Sequence, residues 1–192
     1  MNTAALQLHD LTLAHRRHPA VHHLSGTLAR GSLTAIVGPN GAGKSSLLDA
    51  LAGRLAPVGG RIELAADLRG RVAYLPQRTQ VDATFPIRVA DLVMLGHWAR
   101  LGAFGGATAA LRGQAAEALA AVGLSGFERR FIGDLSVGQF QRVLFARLLL
   151  QDAALILLDE PFNAIDARTS ADLLQLVQRW HGEARTVVAV LH

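Results

Sequence analysis

Between Gly38 and Ser45 the chain reads Gly-Pro-Asn-Gly-Ala-Gly-Lys-Ser. The glycines allow the backbone to curl tightly, so that successive N–H groups converge on a point where phosphate oxygens can sit. The apolar run Leu33-Thr34-Ala35-Ile36-Val37 comes before it and reads as a buried strand. Ser45 to Leu51 comes after it and reads as a helix, whose positive N-terminal end adds to the attraction. A G-x-x-x-x-G-K-[ST] pattern between strand and helix is a phosphate cradle by mechanism. Its four defined positions match by chance on the order of one per cent of the time in a chain this size, given glycine near 7%. Lys44 is then aimed at the β- and γ-phosphates of a nucleotide and Ser45 at Mg²⁺. Gly38, Pro39, Asn40, Gly41, Ala42, Gly43 and Ser46 complete the contact set. A plain glycine-rich turn is the bland alternative, and the strand and helix on either side argue against it.

Basic-residue usage sharpens this reading. Of nineteen basic residues eighteen are arginine, and the one lysine is Lys44. A compact ammonium therefore survives where a planar fork does not substitute. It also leaves no lysine for the guanine-reading Asn-Lys-x-Asp pattern of GTPases. Gly41-Ala42-Gly43-Lys44-Ser45-Ser46 lacks the third glycine of a dinucleotide fingerprint. The net charge of +4 is spread along the chain and not clustered with aromatics, which argues against nucleic acid as a partner. With no cysteine there is no disulfide framework and no cysteine-bound zinc. The longest apolar run, Ala153 to Leu158, falls far short of the ~20 residues that cross a bilayer. The N-terminus carries no signal-peptide pattern, which points to the cytoplasm.

Periodicity gives the organisation. Leu6-Gln7-Leu8-His9 and Leu11-Thr12-Leu13 alternate as strand, and Arg61–Leu64, Val72–Leu75, Leu155–Leu158 and Val187–Leu191 are further strands. Val89–Leu95, Thr108–Val122 and Gln139–Leu150 are helical, and so is the stretch bearing Leu173, Leu174, Leu176 and Val177. This order predicts an α/β fold with a mainly parallel sheet flanked by helices, antiparallel strands at the N-terminus and an inserted helical subdomain. The expected division of residues 1–192 is a core of 1–77 and 152–192 around a helical subdomain of 78–151.

Leu155-Ile156-Leu157-Leu158-Asp159-Glu160 is an apolar strand ending in two carboxylates. Beside a phosphate loop such a strand delivers an Asp to the Mg²⁺ shell, and Asp159 is that candidate. Glu160 then faces the γ-phosphate, where a carboxylate accepts a proton from attacking water. A solvated strand end is the bland alternative.

Leu135-Ser136-Val137-Gly138-Gln139, followed by Gln141-Arg142-Val143, resembles the Leu-Ser-Gly-Gly-Gln signature of the ATP-binding-cassette ATPases, with Val137 in place of a glycine. The resemblance spans the chain and implies the P-loop ATPase fold, ATP and Mg²⁺ as cofactors, and further roles in motif order. Gln77 in Tyr74-Leu75-Pro76-Gln77 looks like the Q-loop glutamine, near Mg²⁺ and the reaction. Asp166 in Asn163-Ala164-Ile165-Asp166 looks like the D-loop, and His192 like the switch histidine. His15 stands where the family offers an aromatic to stack on adenine. The resemblance also implies a head-to-tail homodimer in which Ser136 and the helix after it face the partner's γ-phosphate.

Lys44 and Asp159 are 115 positions apart, which leaves no room for the coiled coils of chromosome-maintenance ATPases. Missing cysteines set aside the zinc-bearing excision-repair type. Thr84-Phe85-Pro86-Ile87-Arg88-Val89, Met94-Leu95-Gly96-His97, Arg100-Leu101-Gly102 and Glu160-Pro161-Phe162-Asn163-Ala164-Ile165-Asp166 resemble the zinc- and manganese-type importers. That implies a membrane permease, an external metal-binding protein and a place on the inner face of the membrane. Siderophore and haem importers share parts of the pattern, and a non-transport ATPase in translation or repair is the alternative class. Trp98, Leu101 and Phe104 are candidates for the surface that meets the permease, or for packing inside the helical subdomain. His18, His22 and His23 lack a carboxylate cluster and read as ordinary strand and turn residues. Because the family normally continues past the switch histidine, the chain is expected to be cut short at its C-terminus.

Overall fold

The protein is described by a computed structural model covering residues 4–15, 18–77, 85–98 and 106–191. Among the described residues there are seven strands: β1 (Ala4–His15), β2 (His18–Ala29), β3 (Leu33–Ile36), β4 (Gly59–Leu64), β5 (Val72–Leu75), β6 (Leu155–Asp159) and β7 (Thr186–Val190). The α-helices among the described residues are α1 (Lys44–Leu51), α2 (Val89–Met94), α3 (Ala109–Ala121), α4 (Val137–Gln151) and α5 (Ala167–Gly182). The described residues fall into two compact units. One takes Met1–Gln77, Ala153–Pro161 and Val177–His192, the other Arg78–Asp152 and Phe162–Leu176.

The first unit holds both sheets. β2, β1 and β4 form an antiparallel three-stranded sheet, and β3, β7, β6 and β5 a parallel one in that order. β1 shows why its apolar residues come in two blocks. Leu6 and Leu8 face the core, then Asp10 takes a left-handed backbone (φ 50°) and the register with β2 shifts. Beyond this bulge the inward positions change parity to Leu11 and Leu13, all four being buried. The bulge leaves backbone donors to satisfy: Ser25 Oγ accepts from Asp10 N and Thr12 Oγ1 from His23 N. These leucines share one core with Leu48, Leu51, Leu155, Leu157, Val188 and Val190. A fully buried leucine contributes roughly 1.5–3 kcal/mol, so this cluster dominates the unit's stability.

β6 and β7 lie inside the parallel sheet and every residue of both is buried, as continuous apolar runs require. β3 departs from the expected buried strand. It pairs with β7 on one side, its burial alternates, and Leu33 is 42% exposed. An apolar run alone does not tell an edge strand from a central one. The twelve-residue β2 carries no clean alternation in its sequence and is formed by pairing along β1.

In the second unit α2 ends at Met94 and tightens into a 3₁₀ turn, Leu95–His97. Gly96 is needed there because an added Cβ would collide with the Arg147 carbonyl oxygen of α4. His97 Nδ1 sits 3.3 Å from the Leu150 carbonyl of the same helix. Thr108 caps α3, accepting from Leu111 N at 3.2 Å. The start of α5 groups with this unit, though its place in chain order gives it to the core. Arg142 of α4 bonds both Thr169 and Asp172 on its first turns. Trp98 is 56% exposed, while Leu101 and Phe104 lie outside the described residues.

Candidate functional site

Strands β3, β7, β6 and β5 all run the same way, so their carboxyl ends share one edge, where open α/β sheets place ligands. The candidate residues leave the sheet along that edge. β3 runs into the glycine-rich loop and α1, β6 ends on Asp159, and β5 leads within two residues to Gln77.

Lys44 opens α1 and is 8% exposed, and its Nζ donates to the carbonyls of Gly38 (2.8 Å) and Pro39 (2.9 Å). The loop thus folds round its own ammonium. Gly43, just before, has φ 84°, and a Cβ there would overlap the Ala20 carbonyl and the Val21 side chain of β2. Glycine is required twice over, by the left-handed backbone and by the strand pressed against it. α1 begins without a side-chain cap and without an acidic residue in its first turn.

Asp159 is 2% exposed. Burial pushes its carboxyl pKa upward, and the charges of Glu160 and Asp49 add to that. The nearby Ser45 hydroxyl and Gln77 backbone N–H pull the other way. Its Oδ1 is buried with no hydrogen-bond partner among the described residues. A buried carboxylate oxygen without a donor is costly, and a divalent cation beside the Ser45 hydroxyl would answer it. The donor set is oxygen-rich, as Mg²⁺ prefers.

Glu160 follows with a left-handed backbone (φ 49°), its N–H given to Val190 O at 3.1 Å. Gln77 Nε2 donates to Glu160 Oε2 at 2.6 Å. One glutamine therefore bears on both carboxylates: its amide bonds Glu160, and its main-chain N–H lies near enough to Asp159 to favour the charged form.

In the second unit the signature stretch forms a helix start. Ser136 is the N-cap of α4: Gln139 N donates to Ser136 Oγ (3.2 Å), and Ser136 N donates to Gln139 Oε1 (3.0 Å). The Ser136 hydroxyl accepts one bond here and keeps its own proton for donation. Leu135 ends the preceding 3₁₀ turn, and Val137 stands 63% exposed beside Gly138 at the first turn. Asp166 caps α5, accepting from Thr169 N (2.9 Å) and Thr169 Oγ1 (2.8 Å). Those two donors hold its pKa below the ordinary value. His192 and the side chain of His15 lie outside the described residues.

Three residues beside the candidate groups went unnoticed in the sequence. Tyr74 of β5 lies beside Asp49 and Asp159, and its phenol is pushed well above its ordinary pKa by burial first, then by those two charges. Asp49 follows Ser45 by four positions on α1, a spacing that puts both on one face. Thr169 follows Asp166 by three, the spacing of a cap and its N–H.

The ABC transporter family profile matches residues 21–163. The chain belongs to the ABC transporter family. The manganese transport system ATP-binding protein of Listeria monocytogenes is 40% identical over 191 residues, 97% of this chain and 80% of that one. The zinc transport system ATP-binding protein of Treponema pallidum is 41% identical over 192 residues, 98% of this chain and 72% of that one. Among solved structures, an inward-facing metal-chelate type ABC transporter superposes with a TM-score of 0.85 at 30% identity, covering all of this chain and 73% of that chain. A nucleotide-free cassette, at TM-score 0.83 and 21% identity over 98% of this chain and 81% of that one, supports the α/β cassette fold alone. This cassette is therefore an ATP-binding ATPase subunit of a transport system with a membrane permease. Among its described residues no helix is long and apolar enough to cross a membrane.

Proposed function

We propose that the cassette energises import of a transition-metal ion, zinc or manganese, from the inner face of the membrane. The observation that carries the substrate class is the 40–41% identity, over nearly the whole chain, to relatives named for manganese and zinc transport. An external metal-binding protein and a permease complete the system in this reading. The 30% identical metal-chelate type neighbour favours a chelated metal as the second reading.

At the site, Lys44 and the loop amides from Gly38 to Ser46 receive the phosphates, and His15 lies under the adenine. Ser45 and Asp159, with Gln77 close by, would hold Mg²⁺, which neutralises charge on the β- and γ-phosphate oxygens when bound. Glu160, steadied by the Gln77 amide, takes a proton from water as its oxygen bonds to the γ-phosphorus and the bond to the bridging oxygen of ADP breaks. In a head-to-tail homodimer Ser136 and the start of α4 face the partner's γ-phosphate, with Val137, Gly138 and Gln139 lining the approach. Asp166 and His192 complete the facing contacts.

Lys44→Ala tests this directly. It is expected to abolish Mg-ATP binding in a calorimetric titration, because the chain has no second lysine. In cells lacking the gene, the wild type restores uptake of radioactive zinc or manganese and Lys44→Ala does not. Normal uptake of both metals without the gene, with a defect in another solute, would refute the substrate.

A further inference from the structure

We propose that Arg142 and Thr169 are positioning residues of the ATPase reaction, a relay that orients the Asp166 carboxylate against the first turn of the signature helix. The proposal rests on the reading of Leu135–Gln139 and Asp166 as nucleotide-facing segments, and deepens it.

Arg142 lies one helical turn beyond Gly138 on α4, so both share a face. Its side chain is 16% exposed and reaches three residues on two other helices. Nη1 donates to Val122 O at the end of α3 (3.0 Å), and Nη2 donates to Asp172 Oδ2 (2.7 Å) and Thr169 Oγ1 (3.3 Å). A guanidinium has donors only, so the Thr169 hydroxyl must accept from it. The single hydroxyl proton is then committed to Asp166 Oδ2, at 2.8 Å. Thr169 N–H holds the other oxygen, Oδ1, at 2.9 Å. Both oxygens of Asp166 are thereby directed by one residue that is itself 6% exposed.

Gly138 brings the signature to the same spot. A Cβ built there would meet Thr169 Oγ1 at 3.5 Å and Asp166 Oδ2 at 3.6 Å, so the signature turn and the carboxylate are near neighbours. Capping α5 needs only Asp166 and the Thr169 N–H. The guanidinium adds a fixed hydrogen-bond direction, so a shift of α4 is transmitted to Asp166 through one hydroxyl.

Thr169→Val keeps shape and burial but removes the hydroxyl, and Thr169→Ser restores it. Steady-state ATP hydrolysis and thermal melting are measured on the full chain. Thr169→Val is expected to lower kcat roughly tenfold, the size of one lost hydrogen bond to a charged group. KM for ATP should stay within about twofold, the signature of a contact that matters after binding. Thr169→Ser should recover kcat, and adding Arg142→Gln to Thr169→Val should cost little more, since both break one relay. Undiminished kcat in Thr169→Val, a loss that serine does not rescue, or additive losses in the double variant would overturn the relay. A Glu160→Gln control separates the two levels. Full turnover in that variant overturns the reading of the site itself, whereas normal turnover in Thr169→Val beside an inactive Glu160→Gln overturns the relay alone.

Discussion

The helix after the phosphate loop and the helix after the signature begin in opposite ways. α1 starts from Gly43, with no side-chain cap and no acidic residue in its first turn. α4 starts with a reciprocal box in which Ser136 and Gln139 satisfy each other's backbone N–H groups. An uncapped start leaves amides and their positive field for a bound anion. A capped start is complete by itself and offers the outside one hydroxyl proton and an exposed Val137. The difference teaches where each region draws its order from. The phosphate-loop unit gathers chemically demanding groups, and Asp159 Oδ1 among them is buried without a hydrogen-bond partner among the described residues. The helical unit satisfies the start of its signature helix internally, through Ser136 and Gln139.

The comparison predicts where mutations hurt. Glu160→Gln, in the first unit, should leave ATP binding and melting temperature nearly unchanged and lower turnover by about 10²–10⁴, the usual worth of a general base. Near-normal phosphate release would break the contrast, because chemistry would then reside elsewhere. Ser136→Ala, in the second unit, should destabilise the chain by about 1 kcal/mol through loss of the cap. Ser136→Asn should keep most of that stability, since Asn caps as well as Ser, and urea melts of both variants decide it. Equal stability in all three proteins would mean that the box contributes nothing.

The smallest effect belongs to a surface pair with no part in the site. Arg30 holds Asp67 in a two-bond fork, and this lowers the carboxyl from 3.8 to about 2. A depressed carboxylate stabilises the fold fully above the unfolded value of 3.8 and loses that contribution as pH falls through about 2. Asp67→Asn should therefore lower Tm only slightly at neutral pH. The difference should shrink as pH falls below 3.8 and fade in 1 M salt, which screens exposed charges. A gap that persists in high salt would point to packing instead of charge.

Much of the site was legible because its groups are local in sequence. The phosphate loop from Gly38 to Ser45 is one contiguous segment whose spacing carries its mechanism. Asp159 and Glu160 end a short run of leucine and isoleucine, the pattern of a fully buried strand. Tyr74, Thr169 and the bond between Gln77 and Glu160 were not legible, because each depends on segments far apart in the chain. The exposure of β3 was also hidden, since Leu33–Ile36 is equally apolar whether a strand has one neighbour or two.

The sequence by itself determined the α/β alternation, the glycine-rich loop between strand and helix, the acidic strand end and the family, all set by short-range spacing and residue chemistry. Tertiary structure alone decided that the Gln77 amide bonds Glu160 and that the bulge at Asp10 switches which leucines of β1 face inward. It alone showed Gly96 as a packing requirement and the Arg142 guanidinium fixing the Thr169 proton. The physical reason is the same in each case. Hydrogen-bond direction and close packing act between side chains that the chain brings together only by folding, and no local pattern records which distant partner will stand opposite.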